Sequence, residues 1–389
     1  MKRSVLTAVV VALVAVAIAV AGCGGGSSSS SGGGGGGGSI KIGDFDPQTG
    51  PYAFAGVPAS KGATVAVEEL NKEGGIEGEK IEFVNGHAGS EPQEAKNIVT
   101  NFAREGMTAI FGPIGDNVSP SIAPVIKALE IPDSSPTATT LTFTNDNPWT
   151  FTMGAPASAV GEGICETVIG LGPKNVATVV TSSNAGQVEF QEETMKCLEA
   201  KGVKSLDDET VTDSTTNFAS VITNMKSSNP EAILIFLNGG SSAQFVTQAR
   251  AAGIPASIRF VGPETMTGAE FLEVGGAAAN GSIGVAAYAS NSENPENKPF
   301  IENYEKRFNE EPEVFSAQGY GAMKLLIAGL EAAGKEVDKQ KIVEGMEAVK
   351  GAPTVLGEGK LTISEGHLPE FGHVVVEVVE GGKLKILGN

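Results

Sequence analysis

The chain has 389 residues, 41% hydrophobic and 19% charged, enough length and apolar content for two lobes with separate cores. Its formal net charge is −19 and no basic stripe runs along it, which speaks against nucleic-acid binding. It holds three histidines and three cysteines, with no cysteine pair at metal-ligand spacing, so neither a metal site nor a cofactor is expected.

The N-terminus opens with Lys2 and Arg3, then an uncharged apolar run over residues 5–20, then Ala21, Gly22 and Cys23. A basic start, a short apolar run and small residues form the pattern of a cleaved export signal covering 1–22. The run is marginally short for a membrane-spanning helix. The ending Val20-Ala21-Gly22-Cys23 resembles a bacterial lipobox, which implies lipidation of Cys23 and an extracytoplasmic, membrane-anchored protein. Residues 24–39 are almost entirely Gly and Ser, so 23–39 is expected to be a lipidated cysteine with a flexible tether reaching about 20 Å. A phosphate-binding glycine loop is excluded there, because no strand precedes it and no helix follows.

From residue 40 short apolar runs alternate with amphipathic segments. Strands are expected at 40–45, 80–84 and 108–111, with helices at 56–71 and 91–104. The first helix has Ala59, Ala63, Ala66, Val67 and Leu70 on one face. Ser119-Pro120 has the form of an N-cap followed by proline at the first helical position, opening a helix over 119–129. Short strands follow near 133–135 and 149–153.

The rhythm then restarts. Helices are expected at 158–170, 187–201, 218–227 and 241–252, and strands at 176–180, 205–211, 232–237 and 259–261. After a strand at 283–288 come helices at 298–308, 316–333 and 339–349. Strands at 360–364, 374–379 and 383–387 complete the tail. Alternating β and α segments imply mostly parallel sheets with helices on both faces. The fold class is therefore α/β, with two doubly wound lobes. Such sheets bind ligands beyond the carboxyl ends of their strands. The loops after Phe45, Phe111, Ser135, Val180, Leu237 and Val261 are the places to look.

Several segments, in this order and spacing, resemble a known family. They include IKIGDFDPQTGPYAFAG from Ile40, AIFGPIGDNVSPSIAPVIKALEIP from Ala109, SSPTATTLT from Ser134, GPETMTGAEF from Gly262 and NYEKRFNEEPEVFSAQGYGAM from Asn303. The chain is similar, from about Ile40 to Gly388, to the leucine/isoleucine/valine-type solute-binding proteins of ABC transporters, with the type I periplasmic binding fold. The resemblance implies two lobes joined by a three-segment hinge, with lobe 1 at 40–157 plus 287–360 and lobe 2 at 158–286 plus 361–389. It also implies hinge closure on a small polar ligand, such as an amino acid or related compound, and delivery to a transporter permease by a monomer.

In amino-acid-binding relatives, lobe 1 backbone N–H groups and hydroxyls hold the ligand carboxylate, and a lobe 2 acid helps to hold its ammonium. Thr137, Ala138 and Thr139 match the donor loop, and Glu264 matches the acid. Asp116 departs from the family, which has a small neutral residue there. Either Asp116 turns away to cap the following helix, or the ligand is not a simple α-amino acid, in which case Asn117 supplies amide hydrogen bonds. The family's aromatic lids are replaced by Ala55, Ala185 and Asn238 or Gly239. Tyr52 and Phe54 either fill that space or pack the first helix. Tyr320 is either an interlobe aromatic or packing within lobe 1. Cys165 and Cys197 are either a disulfide or two buried thiols, on helices flanking the first strand of lobe 2.

No nucleophile elbow, zinc-protease pair or P-loop is present, and His87, His367 and His373 have no evident nucleophile partner, with His367 and His373 expected to be solvated. Catalysis is therefore not expected. The alternative to transport is a ligand-sensing domain that reports to a signalling partner.

Overall fold

The computed structural model describes residues 39–387. The export signal expected at 1–22, Cys23 and all but Ser39 of the tether expected at 23–39, and the last two residues, lie outside the described residues.

The first half runs β1 (Ile40–Asp44), α1 (Ala53–Glu73), β2 (Ile81–Asn85), α2 (Pro92–Arg104), β3 (Ala109–Phe111), α3 (Ser119–Leu129), β4 (Asp133–Ser135), α4 (Leu141–Thr144) and β5 (Thr150–Thr152). Its five strands form one parallel sheet in the order β2-β1-β3-β4-β5. The second half runs α5 (Ala157–Leu171), β6 (Asn175–Thr181), α6 (Ala185–Ala200), β7 (Lys204–Val211), α7 (Ala219–Ser228), β8 (Ala232–Phe236), α8 (Gly239–Ala251), β9 (Arg259–Pro263), α9 (Ala269–Gly275) and β10 (Ile283–Ala286). Then come α10 (Asn297–Phe308), α11 (Val314–Ala333), α12 (Lys339–Glu347), β11 (Ala352–Pro353), β12 (Lys360–Ile363), β13 (Pro369–Glu370), β14 (Val375–Glu380) and β15 (Lys383–Ile386). The second sheet has seven strands in the order β15-β14-β10-β9-β8-β6-β7, with β14 and β15 antiparallel at one edge.

The alternation of apolar runs explains these strands. β8 (AILIF) is buried at every position because helices cover both of its faces. The alanine stripe of α1 packs on α11, where Ala59, Ala63 and Ala66 are fully buried. The two helices lie so close that a Cβ on Gly62 would overlap the Ser316 carbonyl, and one on Gly319 would overlap the Ala59 carbonyl. Only glycine permits that approach.

The chain passes between the two sheets three times: after β5, after β10 and before β14. The last passage falls between Glu370 and Val375. β11, β12 and β13 form a small sheet of their own, so the expected lobe boundary at 360/361 falls inside it. His367 anchors this sheet to the first lobe. It is buried rather than solvated, stacks on Phe151 at 4.0 Å between ring centroids, and its ring nitrogens sit 3.0 Å from Thr150 O and Glu347 Oε1. Ser119 also differs from expectation. It is already helical, and its hydroxyl turns inward instead of capping α3.

Cys165 on α5 and Cys197 on α6 form a disulfide, with their Cα atoms 6.1 Å apart. That separation lies inside the range such a bond requires.

Candidate ligand cleft

Each sheet has a switch point where consecutive strands leave in opposite directions: β1/β3 in the first, β6/β8 in the second. Loops at such points diverge and leave a crevice. Here the two crevices face each other. A cavity of about 40 Å³ lies between them, lined from the first side by Tyr52, Phe54, Gly115, Asp116, Thr137 and Thr139 and from the second by Asn184, Gly186, Gln187, Asn238, Glu264 and Thr265. Each of the six loops singled out from the sequence contributes to this lining.

On the first side, the loop after β4 presents successive N–H groups. Thr137 N and Ala138 N donate to Ser135 Oγ at 3.2 and 2.8 Å. Thr139 N and Thr140 N donate to the Asp116 carboxylate at 3.2 Å. The hydroxyls of Thr139 and Thr140 donate to it as well, at 2.7 and 2.9 Å, and so does Ser119 Oγ at 2.8 Å. Asp116 is thus held by five donor groups. It is buried and lines the cavity. It does not cap α3, whose N-terminus carries no side-chain cap.

On the second side, α6 opens with Asn184, whose Oδ1 accepts from Gly186 N at 3.0 Å and Gln187 N at 3.4 Å. Gly186 abuts the Asp116 carboxylate so closely that a Cβ would overlap Asp116 Oδ2 and Thr139 Oγ1. The side chains of Asn184 and Asn238 bond each other at 3.3 Å. Glu264 begins a short 3-10 turn directly after β9 and is 5% exposed. Burial pushes its carboxyl up to about 7; the Gln318 hydrogen bond lowers it and the Asp116 charge raises it.

Two further hydrogen bonds cross between the sides. The Tyr52 hydroxyl donates to Asp213 Oδ2 at 2.7 Å, and Gln318 Nε2 on α11 donates to Glu264 Oε2 at 2.9 Å. Phe54 meets Phe315 edge to face, with centroids 5.4 Å apart.

The structure thus brings Tyr52, Phe54, Asp116, Thr137, Thr139, Asn238 and Glu264 to one cavity. It does not bring four other candidates there. Ala138 is buried in the core of the first lobe, its carbonyl accepting from Thr152 Oγ1 at 2.6 Å. Asn117 turns aside to donate to Ser90 O at 3.0 Å. Ala185 sits between the lining residues Asn184 and Gly186 without lining the cavity itself. Tyr320 lies on another face of α11, where its hydroxyl donates to Glu69 Oε2 at 2.8 Å and its ring packs 4.7 Å from Phe300. It lines a separate cavity of about 350 Å³.

Asn184, Gly186, Gln187, Phe190, Thr265, Ile114 and Phe315 line the cleft without having been singled out in the sequence. Asn184 and Thr265 lie in or beside the loops already marked by their positions after Val180 and Val261. Phe315 enters from α11, far along the chain, and no local signal marks it.

A family profile described as periplasmic binding protein matches residues 39–383. The chain is 25% identical over 328 residues to Leu/Ile/Val-binding protein BraC3 of Rhizobium johnstonii, covering 84% of this chain and 88% of that protein. It is 25% identical over 353 residues to the leucine-, isoleucine-, valine-, threonine- and alanine-binding protein of Pseudomonas aeruginosa, covering 87% and 90%. Its fold is similar to the branched-chain amino acid transporter substrate binding protein of Streptococcus pneumoniae in complex with isoleucine, with a TM-score of 0.83, 25% identity, and 90% and 99% of the two chains covered. It is also similar to an ABC transporter solute binding protein from R. palustris in complex with benzoate, with a TM-score of 0.82, 26% identity, and 90% and 96% covered. With parallel-centred sheets flanked by helices and a match along nearly all of the described chain, the protein belongs to the periplasmic binding protein family: it is an extracytoplasmic solute-binding protein and not an enzyme.

Proposed function

We propose that this protein is the solute-binding lipoprotein of an ABC importer, which grips one small polar molecule between its lobes and passes it to a permease. The observation that carries this reading is the cavity lined from both sheets and bridged by Tyr52–Asp213 and Gln318–Glu264. A ligand held by both sides favours the closed form by its extra contacts there, and closure excludes water from it. Tyr52, Phe54, Thr137, Thr139, Asn238 and Glu264 are the proposed contacts. The Cys165–Cys197 disulfide suits an oxidising compartment outside the cytoplasm. In this reading the export signal is removed, Cys23 carries the lipid, and residues 24–39 tether a monomer close to its transporter.

The test is small-angle scattering with and without a ligand found by thermal shift. Closure is expected to reduce the radius of gyration, and mass action to raise Tm. A scattering profile unchanged at saturating ligand sinks the hinge reading. Glu264→Ala is expected to weaken binding at least tenfold, and an unchanged affinity sinks the site assignment.

A further inference from the structure

We infer that the cleft takes a small organic ammonium ion without a free carboxylate, and that Asp116 is a built-in carboxylate standing where a carboxylate-bearing ligand would otherwise be held. This deepens the solute-binding reading above and rests on it.

The first argument concerns hydrogen-bond donors. A ligand carboxylate needs N–H and O–H groups that are free to turn to it. The loop after β4 has one left over, the Thr137 hydroxyl, which accepts from Gly115 N at 3.4 Å and keeps its own proton free. The loop's N–H groups are engaged: Thr137 N and Ala138 N by Ser135 Oγ, and Thr139 N and Thr140 N, with both hydroxyls, by Asp116. The isoleucine and benzoate bound by the two solved relatives both carry a carboxylate. Here an aspartate of the protein itself takes up these donors.

The second argument concerns charge. The ionisable carboxyl groups lining the cavity are Asp116 and Glu264, and among the described residues that line it there is no lysine, arginine or histidine. A third, incoming carboxylate would meet like charge with no counter-ion, whereas an ammonium would supply the missing one.

The third argument concerns what remains unpartnered. Two lining residues carry a buried side-chain oxygen with no hydrogen-bond partner: Thr265, whose hydroxyl can donate or accept, and Gln187, 4% exposed, whose Oε1 can only accept. The Gln187 oxygen awaits a donor. Glu264 has one oxygen engaged by Gln318. Around these acceptors stand the rings of Tyr52, Phe54, Phe190 and Phe315. Carboxylate, amide oxygen and aromatic faces together are the surroundings an organic ammonium binds, through hydrogen bonds and cation–π attraction. The space of about 40 Å³ suits few heavy atoms, since a water needs roughly 10–15 Å³ by this measure.

The experiment uses matched pairs differing only in whether a carboxylate or a CH₂OH group stands beside the nitrogen-bearing carbon: ethanolamine against glycine, choline against glycine betaine, valinol against valine. Affinities are measured by calorimetry on the exported domain beginning at Ser39. At least one amino alcohol is expected to bind tenfold or more tightly than its carboxylate partner, with no pair reversed. The inference is overturned if any carboxylate binds as tightly as its alcohol, or if none of the three alcohols binds. In the first case, closure by scattering with the carboxylate leaves the solute-binding reading standing. Failure of all six compounds to bind overturns the inference alone; the solute-binding reading stands or falls on the screened ligand and scattering described above. Asp116→Ser is expected to free the Thr139 and Thr140 donors, raising valine affinity at least tenfold and lowering that of the best alcohol similarly. If this variant does not fold, the wild-type pairs decide alone.

Discussion

Glu377 shows what burying a carboxyl group costs. It lies on β14, is 2% exposed, and burial alone pushes its carboxyl up to about 7. A carboxyl whose folded pKa lies above its unfolded value, about 4.3, stabilises the fold fully below that value. The contribution is lost as pH rises through about 7. Asp44 and Glu264, raised to about 7 by the same cause, act in the same direction. The ligand-free protein is therefore expected to be more stable at pH 5 than at pH 8. Glu377→Gln is expected to stabilise by about 3 kcal/mol at pH 8 and by about 1 kcal/mol at pH 5. Urea titrations at both values check this, and equal gains at the two pH values refute it. Asp116 shows a different side of the same scale. Its identity is plain in the sequence, and so is its departure from the family pattern. Its partners, Thr139 and Thr140, lie over twenty residues away, and neither capping nor a polar amide ligand accounts for them.

Among the elements, helix and strand positions were legible from the chain because apolar periodicity is imposed by local burial. The observed helices α5, α6, α7, α8, α10, α11 and α12 lie within a few residues of their expected spans. Short elements escaped notice. α4 and α9 carry too few residues for a period to register. The burial of His367 depends on Phe151 and Glu347, which the sheet packing brings to it. The Cys165–Cys197 disulfide staples α5 to α6 across a separation of 32 residues. Closing a loop of that length in the unfolded chain corresponds to about 3–4 kcal/mol. The double replacement Cys165→Ser, Cys197→Ser is expected to lower stability by about 3 kcal/mol, seen as a lower urea midpoint with a steeper slope, because the uncrosslinked unfolded chain exposes more surface. A midpoint equal to that of the parent contradicts the staple.

For the whole molecule, the decisive contact is Gly186 against Asp116. The start of α6 reaches the first lobe only because residue 186 has no Cβ. Gly186→Val is therefore expected to hold the lobes apart. Its radius of gyration should remain at the open value when ligand is added, and affinity should fall at least tenfold. The melting temperature of the ligand-free protein should change little, because the substitution lies at the contact between the lobes and not in the packing of either sheet. Closure of this variant to the parental radius refutes the role. The six marked loops all reach the cavity because a parallel sheet sends every strand's carboxyl end the same way. That direction is a property of the fold class, so it could be inferred before any coordinates.

The sequence by itself determined the α/β class, the order of elements, the ends of the strands where a site must lie, and the family. All of these follow from local periodicity or from ordered segments along the chain. Only the tertiary structure decided that Asp116 takes up the loop's donors, that Tyr320 faces away from the cleft while Phe315 faces it, and that Gly186 meets the opposite lobe. The physical reason is one of range. Burial period is written into neighbouring residues, whereas a hydrogen bond or a close contact between distant segments exists only once packing has chosen which side chains meet.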